Sequence, residues 1–186
     1  MKINLLSALI LSVLSVPLCA QNTIEVPLTD PGQPGKLSIN AMFSDEITVR
    51  SHNEQNVIIN YSGDGIREED SEAMKNGMKR ISGGGMGLEV IEDNNEIEIS
   101  TGPFPTNDLE MTVLVPRNFS IKLNTVQGDV NVFGVEGELE VSAVNGDIEL
   151  GDISGTVLVN SVNGDISIDF NAVTPGSPDV VYRSEW

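Results

Sequence analysis

Between Val126 and Phe170 the chain repeats itself five times at a nine-residue interval, as VQGDVNVFG, VEGELEVSA, VNGDIELGD, ISGTVLVNS and VNGDISIDF. Each unit opens on Val or Ile, has Gly third, and carries aliphatic residues fifth and seventh. An aliphatic-x-aliphatic pair has the two-residue period of a strand with one buried face. The pairs are Ile121/Leu123, Val130/Val132, Leu139/Val141, Ile148/Leu150, Val157/Val159 and Ile166/Ile168. One such unit cannot cover its own core or its own strand edges, so the units must stack and the ends of the stack must be capped. Gly128, Gly137, Gly146, Gly155 and Gly164 mark tight corners where a positive φ is expected. The residue opening each corner (Val126, Val135, Val144, Ile153, Val162) is expected to point inward as a third core contact.

Identity is higher at twice the interval. VQGDV, VNGDI and VNGDI begin at 126, 144 and 162, whereas VEGEL and ISGTV begin at 135 and 153. One coil is therefore two units, and strands eighteen residues apart should stack in parallel at about 4.8 Å. The fold class expected is all-β, a single-stranded parallel β-helix or solenoid with 18-residue coils made of two nonapeptide units. A left-handed hexapeptide helix needs an aliphatic residue every sixth position, and Glu138, six after Val132, excludes it.

Upstream, TIEVPL (Thr23 to Leu28) reads as a first strand followed by the turn DPGQPG. Leu37/Ile39, Ile47/Val49 and Val57/Ile59 recur every ten residues, a looser version of the same coil with polar corners FSDE and SHNEQN. His52 sits in the second of these and is expected to be solvated. The period stops across a polar insertion at 64–87, where Met74, Met78 and Ile81 have helical spacing, acids lead and Lys79 and Arg80 follow. That pattern predicts a short helix over Arg67 to Ile81. The SGGGMG that follows lacks the Lys-Ser/Thr of a phosphate loop and reads as a linker. Leu88/Val90 and Ile97/Ile99 resume the nine-residue beat around EDNN, and Leu109 to Val115 alternate until Pro116. Past Phe170, TPGSP breaks register, and Val180/Tyr182 are expected to fill one more strand, with Tyr182 and Trp186 capping the coil.

Residues 1–20 read as a signal peptide, with Lys2, an apolar run from Leu5 to Val16, the breaker Pro17, and Ala20 before a cleavage point at Gln21. The run is short for a bilayer span, so the mature chain, 21–186, is expected to be one solenoid domain without a transmembrane segment. The expected address is the periplasm or surface of a bacterium. Cys19, the only cysteine, would leave with the leader; its use as a lipid anchor is disfavoured by the bulky Leu18 before it. The formal charge is −18, and loss of Lys2 makes it −19. Such a surface repels nucleic acid and anionic membrane. The expected partner is an unidentified envelope or extracellular one, or a second copy.

Catalysis is not expected. The sequence has no GxSxG, no HExxH, no Cys-His pair and a single His, and Val126 to Phe170 holds neither Lys nor Arg. No cofactor is expected. The weak metal candidates are Asp129, Asp147 and Asp165, at equivalent corners eighteen residues apart. Stacked carboxylates about 5 Å apart repel by about 0.8 kcal/mol in water and about 3 kcal/mol at an effective dielectric of 20. Backbone N–H groups at each corner would relieve this, or a Ca²⁺ ladder like that of the nonapeptide β-rolls. Those rolls use a double-Gly corner, whereas here each corner has one Gly and the alternate corners read EGE and SGT. Cation or glycan binding through these corners is thus the alternative function. The outward strand residues Asn131, Glu140, Glu149, Leu158 and Ser167 form no aromatic platform for sugars. Asn145 and Asn163, with Gln127 beneath, are expected to form a structural amide ladder. The triplets NYS at Asn60 and NFS at Asn118 match a glycosylation pattern that arises readily by chance.

The run LVPRNFSIKLNTVQGDVNVFGVEGELEVSAVNGDIELGDISGTVLVNSVNGDISI, with IEVPL, PGKLSI and EITV upstream, closely resembles the bacterial putative-adhesin β-helix family. That family is an envelope domain of unknown function. The VNGDI corner after a strand ending in Val-Pro carries the resemblance, which covers nearly all of the mature chain. It implies a right-handed coil, export and a non-catalytic, adhesin-like role, and it brings no catalytic residues. Its members often continue through further Asn-Gly-Asp coils, which leaves open whether Trp186 is a natural cap.

Overall fold

The computed structural model describes residues 22–63, 71–75, 78–82, 88–102, 109–171 and 181–184. The leader at 1–20 and Trp186 lie outside the described residues. Every element found is a strand, so the protein is all-β. In chain order these are β1 (Asn22–Pro27), β2 (Lys36–His52), β3 (Asn56–Ser62), β4 (Ser71–Lys75), β5 (Met78–Ser82), β6 (Glu89–Asp93) and β7 (Glu96–Ser100). They continue as β8 (Glu110–Pro116), β9 (Ser120–Phe133), β10 (Leu139–Asn145), β11 (Ile148–Ile153), β12 (Val157–Asn163), β13 (Ile166–Phe170) and β14 (Val181–Ser184).

The strands form two rows. β2 and β9, 17 and 14 residues long, each turn a corner and serve both. One row runs β14-β12-β10-β9-β2-β7-β6-β5-β4; the other runs β13-β11-β9-β2-β8-β3-β1. Within the repeat the pairing is parallel at the expected offset: Leu139 aligns with Ile121 below and Val157 above, and Ile148 aligns with Val130 and Ile166. Because side chains alternate along a strand, this register stacks aliphatic on aliphatic. The pairs from Ile121/Leu123 to Val157/Val159 are at most 2% exposed and belong to one core.

Upstream, the stacking order departs from chain order. β2 lies between β9 on one side and β7 and β8 on the other, so Ile47 is flanked by Val130 and Met111. The ten-residue spacing of Leu37/Ile39 and Ile47/Val49 has a local cause. A register shift between Phe43 and Glu46 absorbs the one residue by which β2 exceeds β9 at that corner. Beyond β8 the pairing becomes antiparallel, with β3 against β8 and β1 against β3. These strands close one end as a conventional sheet rather than as further coils, which corrects the expectation of a purely parallel solenoid.

Two more expectations change. Leu88/Val90 and Ile97/Ile99 keep the nine-residue beat but belong to a hairpin: β6 and β7 are antiparallel, with Val90 opposite Ile99 and Asp93 opposite Glu96. Asn94 and Asn95 take φ of 51° and 63°, the double left-handed step of a tight hairpin that Asn tolerates. The helix expected over Arg67 to Ile81 is replaced, at its described residues, by β4 and β5, which pair antiparallel and dock on β6. A helix of so few turns is marginal by itself, and the open edge of β6 offers a ladder of backbone partners.

At the other end, β14 pairs with β12 and aligns Tyr182 with Val159, displaced by the inserted TPGSP. Two further devices hold the frame. Phe119, fully buried, fills the turn where the chain passes from β8 to β9. The buried carboxylate of Glu92 accepts hydrogen bonds from the Thr29 amide (3.2 Å) and hydroxyl (2.9 Å) and from the Asn95 amide (3.1 Å), while the Asn95 side chain bonds both backbone groups of Asp30. This pins the loop after β1 to the β6–β7 turn and satisfies polar groups that would otherwise be costly to bury.

Candidate functional site

The repeat has two kinds of corner. In the kind at 126–129, 144–147 and 162–165 the strand alternation continues one step past the aliphatic pair. Thr125, Ala143 and Ser161 therefore turn inward, and Val126, Val144 and Val162 turn outward, at 37%, 39% and 41% exposure. The expectation that these valines are core contacts is corrected by that parity. Gly128, Gly146 and Gly164 carry the expected positive φ here. In the other kind the left-handed residue comes earlier, at Gly134 (φ 74°) and Asp152 (φ 60°), and shifts the phase so that Val135 and Ile153 are fully buried. Gly137 and Gly155 do not show positive φ. A side chain there would run into the backbone of the coil beneath.

The first kind of corner builds four columns along the stack. Asn163 Nδ2 donates to Asn145 Oδ1 (3.0 Å), as the amide ladder requires; at its foot Asn145 donates to the Val126 carbonyl (3.2 Å) instead of to Gln127. Beside it runs the Asp column. Asp129 Oδ1 accepts the backbone amide of Asp147 (2.9 Å), and Asp147 Oδ1 that of Asp165 (2.8 Å). On the other side of the corner stand Asn40, Asn124, Ser142 and Asn160, aligned by strand register, with Asn124 Nδ2 donating a hydrogen bond to Asn40 Oδ1 at 3.1 Å. Between them and the ladder runs the aliphatic column Met42, Val126, Val144 and Val162, all exposed. The aliphatic column and the Asn/Ser column enclose an open groove of about 340 Å³ with no charged residue among the described residues of its lining.

Residues 35–170 match the model of the Toastrack DUF4097 family. The chain belongs to that family. The solved structure of a putative cell adhesion protein from Clostridium sporogenes is similar at 16% identity, over 79% of this chain and 71% of that one, with a TM-score of 0.46. No curated protein matches the chain.

In this Toastrack domain the three candidate aspartates do line up. Each pair is bridged by a carboxylate oxygen on the next coil's backbone N–H, which offsets the repulsion of stacked charges. The N–H that each carboxylate accepts belongs to the coil above and not to its own corner. Among the described residues no three His, Cys, Asp or Glu side chains converge as metal ligands. Asp147→Asn keeps an acceptor oxygen at the same place, so its thermal stability is expected to stay within about 0.5 kcal/mol of the parent, equally in EDTA and in millimolar Ca²⁺. A loss confined to Ca²⁺ would assign the column to a cation. His52 is half-buried rather than solvated, with Nε2 2.8 Å from the Asn56 carbonyl across its turn. The groove escaped the sequence reading although parity could have revealed it: Leu139, Val141 and Ala143 share a face, which leaves Val144 on the opposite one.

Proposed function

We propose that this Toastrack chain is exported and works without catalysis as a cell-envelope scaffold or adhesin-like interaction module, built as a right-handed β-helix of 18-residue coils. The observation that carries the reading is the continuous column of exposed aliphatics and uncharged polar side chains, presented once per coil on a chain of formal charge −18. A scaffold that repeats one surface chemistry along its length suits attachment better than a reaction centre, which needs unlike groups converging on one point. Parallel registers at an 18-residue offset support the coil, and the resemblance of the VNGDI corners supports its hand. Export rests on the leader-like residues 1–20. No helix among the described residues is long and apolar enough to cross a membrane. The acidic surface favours an envelope or extracellular partner over nucleic acid.

The test is fractionation of cells producing the full chain with a C-terminal epitope, combined with protease treatment of intact cells and an attachment assay on a deletion strain. Recovery from the envelope or medium with the leader removed, and reduced attachment in the deletion strain, are the expected results. A cytoplasmic, unprocessed chain would overturn the reading.

A further inference from the structure

We infer that the corner groove is a binding site for a linear, uncharged polysaccharide carrying N-acetyl groups, laid along the stack of coils; the inference rests on the adhesin-like reading above. Its lining is chemically of two kinds in two columns. Asn40, Asn124, Ser142 and Asn160 provide amides and a hydroxyl, and Met42, Val126, Val144 and Val162 provide methyl surface. Among the described residues the amide of Asn160 and the hydroxyl of Ser142 have no hydrogen-bond partner, and neither is buried, so both can face a ligand. An acetamido group has the matching halves: an amide that both donates and accepts, and a methyl that takes apolar contact.

Three observations select this occupant. Among the described residues the groove lining is uncharged although the chain carries 28 acidic residues, so this stretch of the repeat avoids the charge that is frequent elsewhere in the sequence. A cationic ligand would find its complement in the Asp column and not here, and an anionic one meets a chain of formal charge −18. The aliphatic column is also only one side chain wide, whereas a stable protein interface buries about 800 Å² per partner. A second copy, equally acidic, is therefore a poor fit. Finally, the backbone around the groove has no free edge. β9, β10 and β12 are each paired on both sides, and the corner amides of Val130, Gly146 and Ile148 bond carbonyls of the coil above. An extended peptide would have no ladder to join. What remains is recognition by side chains at one set per coil, about 4.8 Å apart, and a sugar ring in an extended 1,4-linked chain advances by close to the same distance. Binding through acetamido groups also needs no aromatic platform.

The experiment is titration calorimetry of the purified full chain with chitohexaose, with cellohexaose as the probe lacking acetamido groups and a neutral Ser/Val hexapeptide as the polypeptide probe. Chitohexaose is expected to bind more tightly than cellohexaose by about tenfold or more. Asn160→Ala, which removes a half-buried side-chain amide from the groove lining, should weaken binding by about fivefold. Val144→Asp should weaken it by about tenfold or more, and because Val144 is 39% exposed the variant should melt with the parent. Equal binding of the two sugars, no binding of either, or a Val144→Asp variant that binds like the parent would overturn the proposal. Binding of the hexapeptide in place of the sugar would reassign the groove to a protein partner and overturn it too. Attachment that depends on the protein but survives Val144→Asp would refute this inference while leaving the adhesin-like reading intact.

Discussion

Phe119→Ala is expected to destabilise the fold by about 3 to 5 kcal/mol, among the larger losses any single truncation in the described core would cause. Phe119 is 0% exposed and stands where the chain leaves β8, on one side of β2, and starts β9 on the other. Its ring lies so close to Gly35 that a Cβ built there would come within 2.6 Å of Phe119 Cε2, and the Ser120 amide next to it donates to the Gly35 carbonyl at 2.9 Å. The side chain thus fills the core where the chain steps over a strand it has already laid down. Gly35 beside the ring is held in place by the Ser120-to-Gly35 and Lys36-to-Asn95 backbone hydrogen bonds, both 2.9 Å, and cannot move freely into the space, so part of the cavity should persist. In thermal unfolding the shift should be about 10 °C or more, with Phe119→Leu intermediate. A loss under about 1 kcal/mol would show that the turn repacks and that Phe119 is not the plug described.

Phe119 also shows where sequence reading ran out. In the sequence it sits inside NFS, a triplet noticed only as a glycosylation pattern, and nothing periodic marks it as core. By contrast the pairs from Ile121/Leu123 to Val157/Val159 were legible, because strand parity and stacking both act on the same residues at a fixed interval. The interval alone is degenerate. Nine residues separate Val130 from Leu139 around a coil corner, and nine also separate Val90 from Ile99 across a two-residue hairpin. What distinguishes them is the turn: Asn94 and Asn95 both take positive φ, the signature of a hairpin. The order β7-β2-β9 was beyond reach for a different reason. Which coil lies against which depends on contacts between segments some 60 to 85 residues apart, and their hydrophobic pairs are interchangeable in pattern. At the candidate site the Asn ladder and the Asp column followed from the repeat. The groove was hidden by the assumption that every corner valine is core, which holds for Val135 and Ile153 and fails for Val126, Val144 and Val162.

Gly155→Ala should be the costliest glycine substitution at the second kind of corner, at about 3 kcal/mol. Conformation is not the cause, since Gly155 is not among the positive-φ residues. An added Cβ would collide with the carbonyl oxygen of Gly137 in the coil below and come within 2.7 Å of its carbon and 2.9 Å of the Glu136 oxygen. All three atoms are backbone, and the coil is held by the hydrogen bond from the Leu139 N–H to the Thr156 carbonyl (2.8 Å) on one side and that from the Ser154 N–H to the Val135 carbonyl (3.1 Å) on the other. Relief requires the coils to separate, which strains those bonds and the core behind them. Gly151 provides the comparison. A Cβ there would also come too close, within 2.6 Å, but to the ring of Phe133, a half-buried side chain stacked under the Arg50 guanidinium at 4.4 Å. That ring can swing outward at the expense of the cation–π contact, about 0.5 to 1 kcal/mol at an exposed site. Gly151→Ala is therefore expected to lose about 1 kcal/mol, a third of the loss at Gly155, in paired urea denaturation curves. Equal losses would mean that the corners yield as easily as a surface ring, and that close backbone approach is not what holds Gly at every second corner.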